Sequence, residues 1–263
     1  MKIVLIGAGN LATNIGVALA GAGHELLQVY SKTEQSAEKL AAMLHCPWTT
    51  ELKEVSDGAD VYIIAVKDGV LADVAQQLAA EHEERFLVHT AGSMPMETLP
   101  TNRRGVLYPM QTFSKERIVD FKHIPCFVEA ANEKDGELLR ELAKTLSESV
   151  YEANSEARKF LHLSAVFCCN FANHCYALAE KLLQEHGGLP FEVMLPLIDE
   201  TAKKVHELSP KKAQTGPAVR WDTNVMEKHM QLLKDNPQLQ EIYRLLSESV
   251  REGQKTITNN HYK

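Results

Sequence analysis

The stretch Lys2-Ile3-Val4-Leu5-Ile6-Gly7-Ala8-Gly9-Asn10-Leu11-Ala12 runs a short apolar segment into a glycine turn, and a helical pattern follows to about Ala22. A strand that feeds a helix through so tight a turn aims free backbone N–H groups and the positive helix end at one point, which suits a pyrophosphate. Gly7 lets the chain turn, and Gly9, lacking a Cβ, lets phosphates approach the backbone. Ala12 takes the third small position, where helix and strand pack closely. Glycine turns are common, so the weight rests on the strand before this one and the amphipathic helix after it. The expectation is a dinucleotide held by Gly7, Gly9, Asn10 and Leu11; the competing reading is an ordinary strand–helix turn that binds nothing. A secretory leader also begins with a lysine and apolar residues, but Gly7, Gly9, Asn10 and Asn14 interrupt the apolar core it needs.

A second apolar run ends in Val29-Tyr30-Ser31-Lys32-Thr33. A site that prefers NAD places Asp or Glu here to bond the ribose 2′-hydroxyl. No acid appears before Glu34. Two hydroxyls around an ammonium suit a 2′-phosphate through charge-assisted hydrogen bonds, so Ser31, Lys32 and Thr33 point to NADP(H). The alternative is that Lys32 is a solvated loop lysine and the ribose is held elsewhere.

With 263 residues the chain has room for one large domain or two modest ones. A net charge of −7 and a pI near 5.9 argue against a nucleic-acid surface or an anionic membrane as partner. No apolar run approaches a membrane span. The five cysteines (46, 126, 168, 169 and 175) are odd in number and lack metal-ligand spacing. They read as reduced thiols in a cytoplasmic protein, with Cys168, Cys169 and Cys175 as small core residues. No bound metal is expected.

Further along, helical spacing over 34–45 is followed by an apolar run at 61–66, a helix to about Ala80, and a strand at 86–89. Strands are expected at 105–108, 126–129 and 149–152, with a helix over about 133–147. Alternating strands and helices define an α/β, doubly wound and mostly parallel sheet, whose ligands sit beyond the carboxyl ends of the strands. Val66 and Lys67 end one such strand and join the cofactor-binding candidates. From about Glu156 the pattern is helical throughout, with breaks at Gly187-Gly188, Ser209-Pro210, Gly216-Pro217 and Asn236-Pro237. The expected division is a dinucleotide-binding domain over 1–154 and an all-α domain over 155–263.

On a helical wheel, Lys159, His162, Val166, Asn170, Asn173 and His174 form one stripe on the first helix of that second half. The remaining surface is apolar almost all round, which predicts burial. A stripe of histidine and asparagine suits recognition in a cleft; the alternative is a buried polar network between helices. His89 and Ser93 flank a glycine loop at a strand's carboxyl end, and His89 is a candidate proton donor because imidazole titrates near neutrality. Asp68 reads most simply as a helix N-cap. Gln111 and Thr112, in Tyr108-Pro109-Met110-Gln111-Thr112-Phe113, are candidate substrate hydrogen-bonders, as are Ser93, Asn173 and His174. In Thr215-Gly216-Pro217-Ala218-Val219-Arg220-Trp221-Asp222, Arg220 suits a carboxylate or phosphate; an Arg220–Asp222 structural pair is the equal alternative.

These motifs in this order, with Ala65-Val66-Lys67-Asp68, His89-Thr90-Ala91-Gly92-Ser93, Tyr108 to Phe113, His162 to Asn170, and Thr215-Gly216-Pro217 to Arg220-x-Asp222, resemble the bacterial Rossmann-like proteins that carry a C-terminal helical domain of unknown function 2520. The resemblance covers nearly the whole chain, and the family is similar in plan to pyrroline-5-carboxylate reductase and the β-hydroxyacid dehydrogenases. It implies NADP(H) binding, a helical dimerisation domain and oxidoreductase activity on an unsettled substrate. The family pattern has histidine where Tyr108 stands and glycine where Trp221 stands. The serine- and glycine-rich substrate loop of a pyrroline-5-carboxylate reductase is missing from the helical half. The β-hydroxyacid dehydrogenase lysine stands four residues before an asparagine; here Val166 occupies that place before Asn170. The expected function is NADP(H)-dependent oxidation or reduction of a small polar, anionic metabolite in a cleft between the domains, by a homodimer joined through its helical half. His89, His162 and Asn170 are the expected catalytic residues. The alternative is a non-catalytic NADP-binding sensor or scaffold.

Overall fold

The computed structural model describes residues 1–258. Apolar runs with turn residues at each end give eight strands among them: β1 (Lys2–Ile6), β2 (Glu25–Tyr30), β3 (Trp48–Thr49), β4 (Val61–Ile64), β5 (Leu87–His89), β6 (Arg104–Pro109), β7 (Cys126–Ala130) and β8 (Val150–Glu152). They form one sheet in the order β3-β2-β1-β4-β5-β6-β7-β8. Every pairing is parallel except β6 with β7, which is antiparallel.

The sheet is apolar on both faces because helices cover both. Ile3 and Leu5 face one way and pack with Ile15 and Leu19 of α1 (Asn10–Gly21), Leu40 of α2 (Glu34–Leu44), and Leu139 and Leu142 of α4 (Glu133–Leu146). Val4 and Ile6 face the other way, against Leu71, Val74 and Leu78 of α3 (Asp68–Glu81). Burial on both sides is why these strands read as continuous apolar runs rather than alternating ones. The strands β1, β2, β4, β5 and β6 run parallel, so their carboxyl ends and the loops that follow share one edge of the sheet.

After β8 the chain is helical: α5 (Ser155–Ala165), a π-helical turn over Val166–Phe171, α6 (Ala172–His186), α7 (Leu195–Glu207), the short α8 (Pro210–Ala213) and α9 (Pro217–Arg220), α10 (Thr223–Leu232) and α11 (Pro237–Thr258). The change from sheet to helix falls between Glu152 and Ser155, yet the chain divides into compact units at 1–175 and 176–263. The reason lies in α5. Asn154 caps it by accepting from the Ala157 N–H at 2.9 Å. Arg158, fully buried, pairs with Glu129 of β7 and donates to the Met94 carbonyl at 2.7 Å. These bonds bind α5 to the sheet.

In the second unit, the Arg251 guanidinium lies 4.0 Å over the Trp221 ring, and His229 Nδ1 is 2.8 Å from the Tyr243 hydroxyl. These contacts hold α9, α10 and α11 together. No described helix is long and apolar enough to cross a membrane.

The expected burial of the α5–α6 segment is corrected. Phe160 and Phe167 are 66% and 63% exposed, and Leu163 and Phe171 are exposed with them. Cys168 and Cys175 are exposed and Cys169 half-buried, so these thiols are not core residues. Periodicity reports that a face is apolar; it does not say what covers it.

Candidate active site

The glycine turn is built for a ligand that approaches backbone. Gly7 has φ +119°, and a Cβ there would strike the Ala65 carbonyl oxygen, so no other residue fits. Its N–H donates to the Tyr30 carbonyl at 2.7 Å, and the Ala65 N–H donates to Ile6 at 2.8 Å, which closes the ends of β2, β1 and β4 together. Gly9 is the N-cap of α1 without a side-chain cap, and a Cβ placed on it would meet nothing within 4 Å. The first N–H groups of α1 therefore face open space, a fit for phosphate oxygens. Ala12 is fully buried beneath the turn. Asn10 is exposed and Leu11 half-buried on the first turn of α1, while Val66 flanks Gly7.

At the end of β2, Ser31 is buried and its N–H donates to Thr49 at 3.2 Å. Lys32 and Thr33 are exposed, and Thr33 is the N-cap of α2 without using its hydroxyl. Lys67 is the N-cap of α3. Asp68, read as that cap, is instead the first helical residue, and its carboxylate accepts the Ser93 hydroxyl. Ser93 is thereby tied to the loop after β4.

A second opening of about 530 Å³ lies where the loop after β6 meets α5 and the π turn, all within the first unit. β6 is three strands from β1, about 14 Å at ordinary strand spacing. Tyr108 and His162 meet here, with the phenol oxygen 3.2 Å from Nδ1. The rings stand edge to face at 67°, 6.1 Å between centroids. Gly92 lies against both: a Cβ on it would come within 2.8 Å of His162 Nδ1 and 2.9 Å of the Tyr108 ring. Burial pushes the Tyr108 hydroxyl above its ordinary pKa, and the nearby Arg158 charge opposes that shift. The phenol is thus a protonated donor at neutral pH. Gln111, Thr112, Cys169 and Asn170 also line the opening. The Gln111 side-chain oxygen accepts from the Thr112 N–H at 2.9 Å, which folds that side chain onto its own loop.

His89 is a different matter. It is fully buried at the end of β5, and its Nδ1 accepts from the Ala91 N–H at 3.2 Å. Its Nε2 makes no hydrogen bond. Burial, helped by the Arg158 charge and opposed in part by the Pro95 carbonyl, lowers its pKa to about 4. At pH 7 the ring is neutral and shut off from solvent, and its bond to the Ala91 N–H shapes the 89–93 loop; this setting lends the expected proton-donor role no support.

The wheel that grouped His162 with Asn173 and His174 assumes a regular helix. The π turn over Val166–Phe171 takes more residues per turn, so later side chains rotate off that stripe. His162 and Asn170 line the opening; Asn173 and His174 are exposed and do not. Arg220 belongs to the second unit, with its side chain 67% exposed and 3.9 Å from Asp222. Asp222 caps α10 by accepting from the Val225 N–H at 3.3 Å. Tyr108 is a site residue that the sequence expectations do not include. Its position near a strand's carboxyl end, three residues before Gln111, is the available signal. Among the described residues no His, Cys, Asp and Glu gather as a metal-binding group.

Residues 2–92 match the family described as NADP oxidoreductase, coenzyme F420-dependent, and residues 124–250 match the domain of unknown function DUF2520. The "putative NADP oxidoreductase BF3122" of Bacteroides fragilis is 54% identical, with a TM-score of 0.90 over 95% of this chain and 98% of that one. An imine reductase of Myxococcus stipitatus in complex with NADP+ shares the fold at 13% identity and TM-score 0.68, covering 99% and 96%. A pyrroline-5-carboxylate reductase of Coxiella burnetii does so at 20% and 0.56, covering 97% of each chain. A comparison with curated proteins finds no match. The chain belongs to the NADP oxidoreductase family that joins a Rossmann-like domain to DUF2520.

Proposed function

We propose that the protein moves a hydride between NADP(H) and the carbonyl or imine carbon of a small, polar, anionic metabolite, with Tyr108 as the proton donor. The Tyr108–His162 pair carries this reading, since it opens at the same strand edge as the glycine turn. The dinucleotide supplies the hydride; the chain supplies position and a proton. Gly7, Gly9, Asn10 and Leu11 hold the pyrophosphate, Val66 and Lys67 border it, and Ser31, Lys32 and Thr33 favour a 2′-phosphate over a bare hydroxyl. Tyr108 gives its proton to the oxygen or nitrogen that gains charge. His162, bonded to the same phenol oxygen, steadies the phenolate and relays a replacement proton from solvent: its Nδ1 proton passes to the phenolate as its Nε2 takes one from water. Asn170 and Gln111 orient the substrate from the lining. The anionic character is suggested by the second unit taken by itself, where the exposed Arg220 guanidinium makes one long pair with Asp222 and suits a carboxylate.

A second copy of the chain is the cover proposed for Phe160, Leu163, Phe167 and Phe171, giving a homodimer. Unpaired thiols suit the reducing cytoplasm. The test of the cofactor reading is thermal: NADP raises the melting temperature more than NAD, and Lys32→Ala narrows the gap. Equal shifts from both dinucleotides contradict it.

A further inference from the structure

A cavity of about 250 Å³ opens beside the glycine turn, and its walls come from three separate parts of the first unit. Ala8 and Thr13 supply the turn and the start of α1; Gln35, Ser36 and Lys39 supply one face of α2; Lys115 reaches in from the loop after β6. Two cations line it and no carboxylate does. The lysine ion pairs of the described residues are Lys122–Glu148 and Lys181–Glu185, so Lys39 and Lys115 are left without an acidic partner.

The fold puts Lys115 there by design of one buried side chain. Asn14, fully buried on α1, donates to the Ser114 carbonyl at 2.9 Å and accepts from the Val119 N–H at 3.0 Å. Those two bonds clamp the 114–119 loop against the helix whose N-terminus faces the phosphates. Lys39 is set by helix geometry: it stands three and four residues beyond Ser36 and Gln35, on the same face of α2. That helix begins directly after Ser31-Lys32-Thr33.

We infer that Lys39 and Lys115 form a cationic wall that, with Ser36 and Gln35, takes the 2′-phosphate of NADP(H) and sets the preference for NADP(H) over NAD(H). This rests on the proposed use of NADP(H) and extends it beyond the strand-end residues. A phosphate bearing close to two negative charges, placed between two ammonium groups and two neutral donors, gains charge-assisted hydrogen bonds that a 2′-hydroxyl does not. With the pyrophosphate on the Gly9 turn and the ribose at the end of β2, the anion that reaches this cavity is the one on the ribose.

The test titrates the full chain calorimetrically with NADP, NAD and adenosine 2′,5′-bisphosphate, in wild type, Lys39→Ala, Lys115→Ala and the double variant, all with Lys32 intact. Each single change weakens NADP and the bisphosphate about tenfold, the double change more, and NAD binding stays as it was. Lys39→Arg with Lys115→Arg keeps the preference, and the melting temperature without cofactor is unchanged. A double variant that keeps the wild-type preference for NADP overturns the two-lysine wall while leaving the NADP reading in place. Equal loss for NADP and NAD also overturns it, because the lysines would then serve a group common to both. A wild type that binds both dinucleotides equally overturns the NADP reading and this inference together.

Discussion

The Tyr108 phenol oxygen stands 3.2 Å from Nδ1 of His162, and Gly92 is the residue that leaves room for them to meet. The strand β6 brings the tyrosine and α5 brings the histidine, so the pair exists only once the first helix of the second half is fixed to the sheet. Tyr108→Phe removes the proton and keeps the ring. The expected result is a fall in kcat of about 10²-fold or more, with NADPH affinity within a factor of about two of wild type. Steady-state kinetics beside a cofactor titration separates the two effects.

Gly92→Ala puts a methyl group where His162 Nδ1 and the Tyr108 ring already sit. Tyr108 is buried and has little room to yield. A destabilisation of about 1–3 kcal/mol is expected in urea unfolding, together with a loss of activity that exceeds what the unfolded fraction explains.

For His89 the direction follows from its buried, neutral state. The ring titrates near 6.5 when unfolded and about 4 when folded, so between those values the unfolded chain holds the extra proton. Its contribution to stability is complete above pH 6.5 and is lost as the pH falls to about 4. The loss amounts to roughly 3 kcal/mol. His89→Asn offers an oxygen to the Ala91 N–H, so the variant shows a flatter stability profile over that window and retains activity. An activity loss matching that of Tyr108→Phe would return His89 to the proton-transfer step.

Arg158 ties these groups together without touching the opening. Arg158→Met leaves the nearly buried Glu129 carboxylate without its cation, with only the Ser155 N–H and hydroxyl still donating to it, and costs about 3 kcal/mol. Because the Arg158 charge depresses the His89 pKa, the variant's His89 titrates above about 4, a shift readable by NMR. Adding Glu129→Gln recovers part of the stability, as expected for a broken buried pair.

Much of this was legible in the chain itself, and the exceptions have physical causes. The Gly7–Ala12 turn reads well because its demands are local: a positive φ, a bare N-cap and a small third position all fall within six residues. The strands read well because helices on both sheet faces make them uniformly apolar. β3 escapes notice because Trp48 and Thr49 carry too little pattern to call. The π turn escapes because nothing in Val166–Phe171 distinguishes it from a regular helix, and it moves Asn173 and His174 off the stripe. The state of His89 depends on burial and on Arg158, which lies 69 residues further along the chain. The exposure of Phe160 and Phe167 escapes because periodicity reports an apolar face and not what covers it.

The central claim is turnover. A panel of small anionic aldehydes, ketones and cyclic imines, followed by NADPH absorbance with wild type and Tyr108→Phe side by side, tests it most directly. The account predicts NADPH oxidation with at least one member of the panel, and its near-complete loss in Tyr108→Phe. Tight NADPH binding with no oxidation anywhere in the panel, or turnover that is indifferent to Tyr108→Phe, would contradict it.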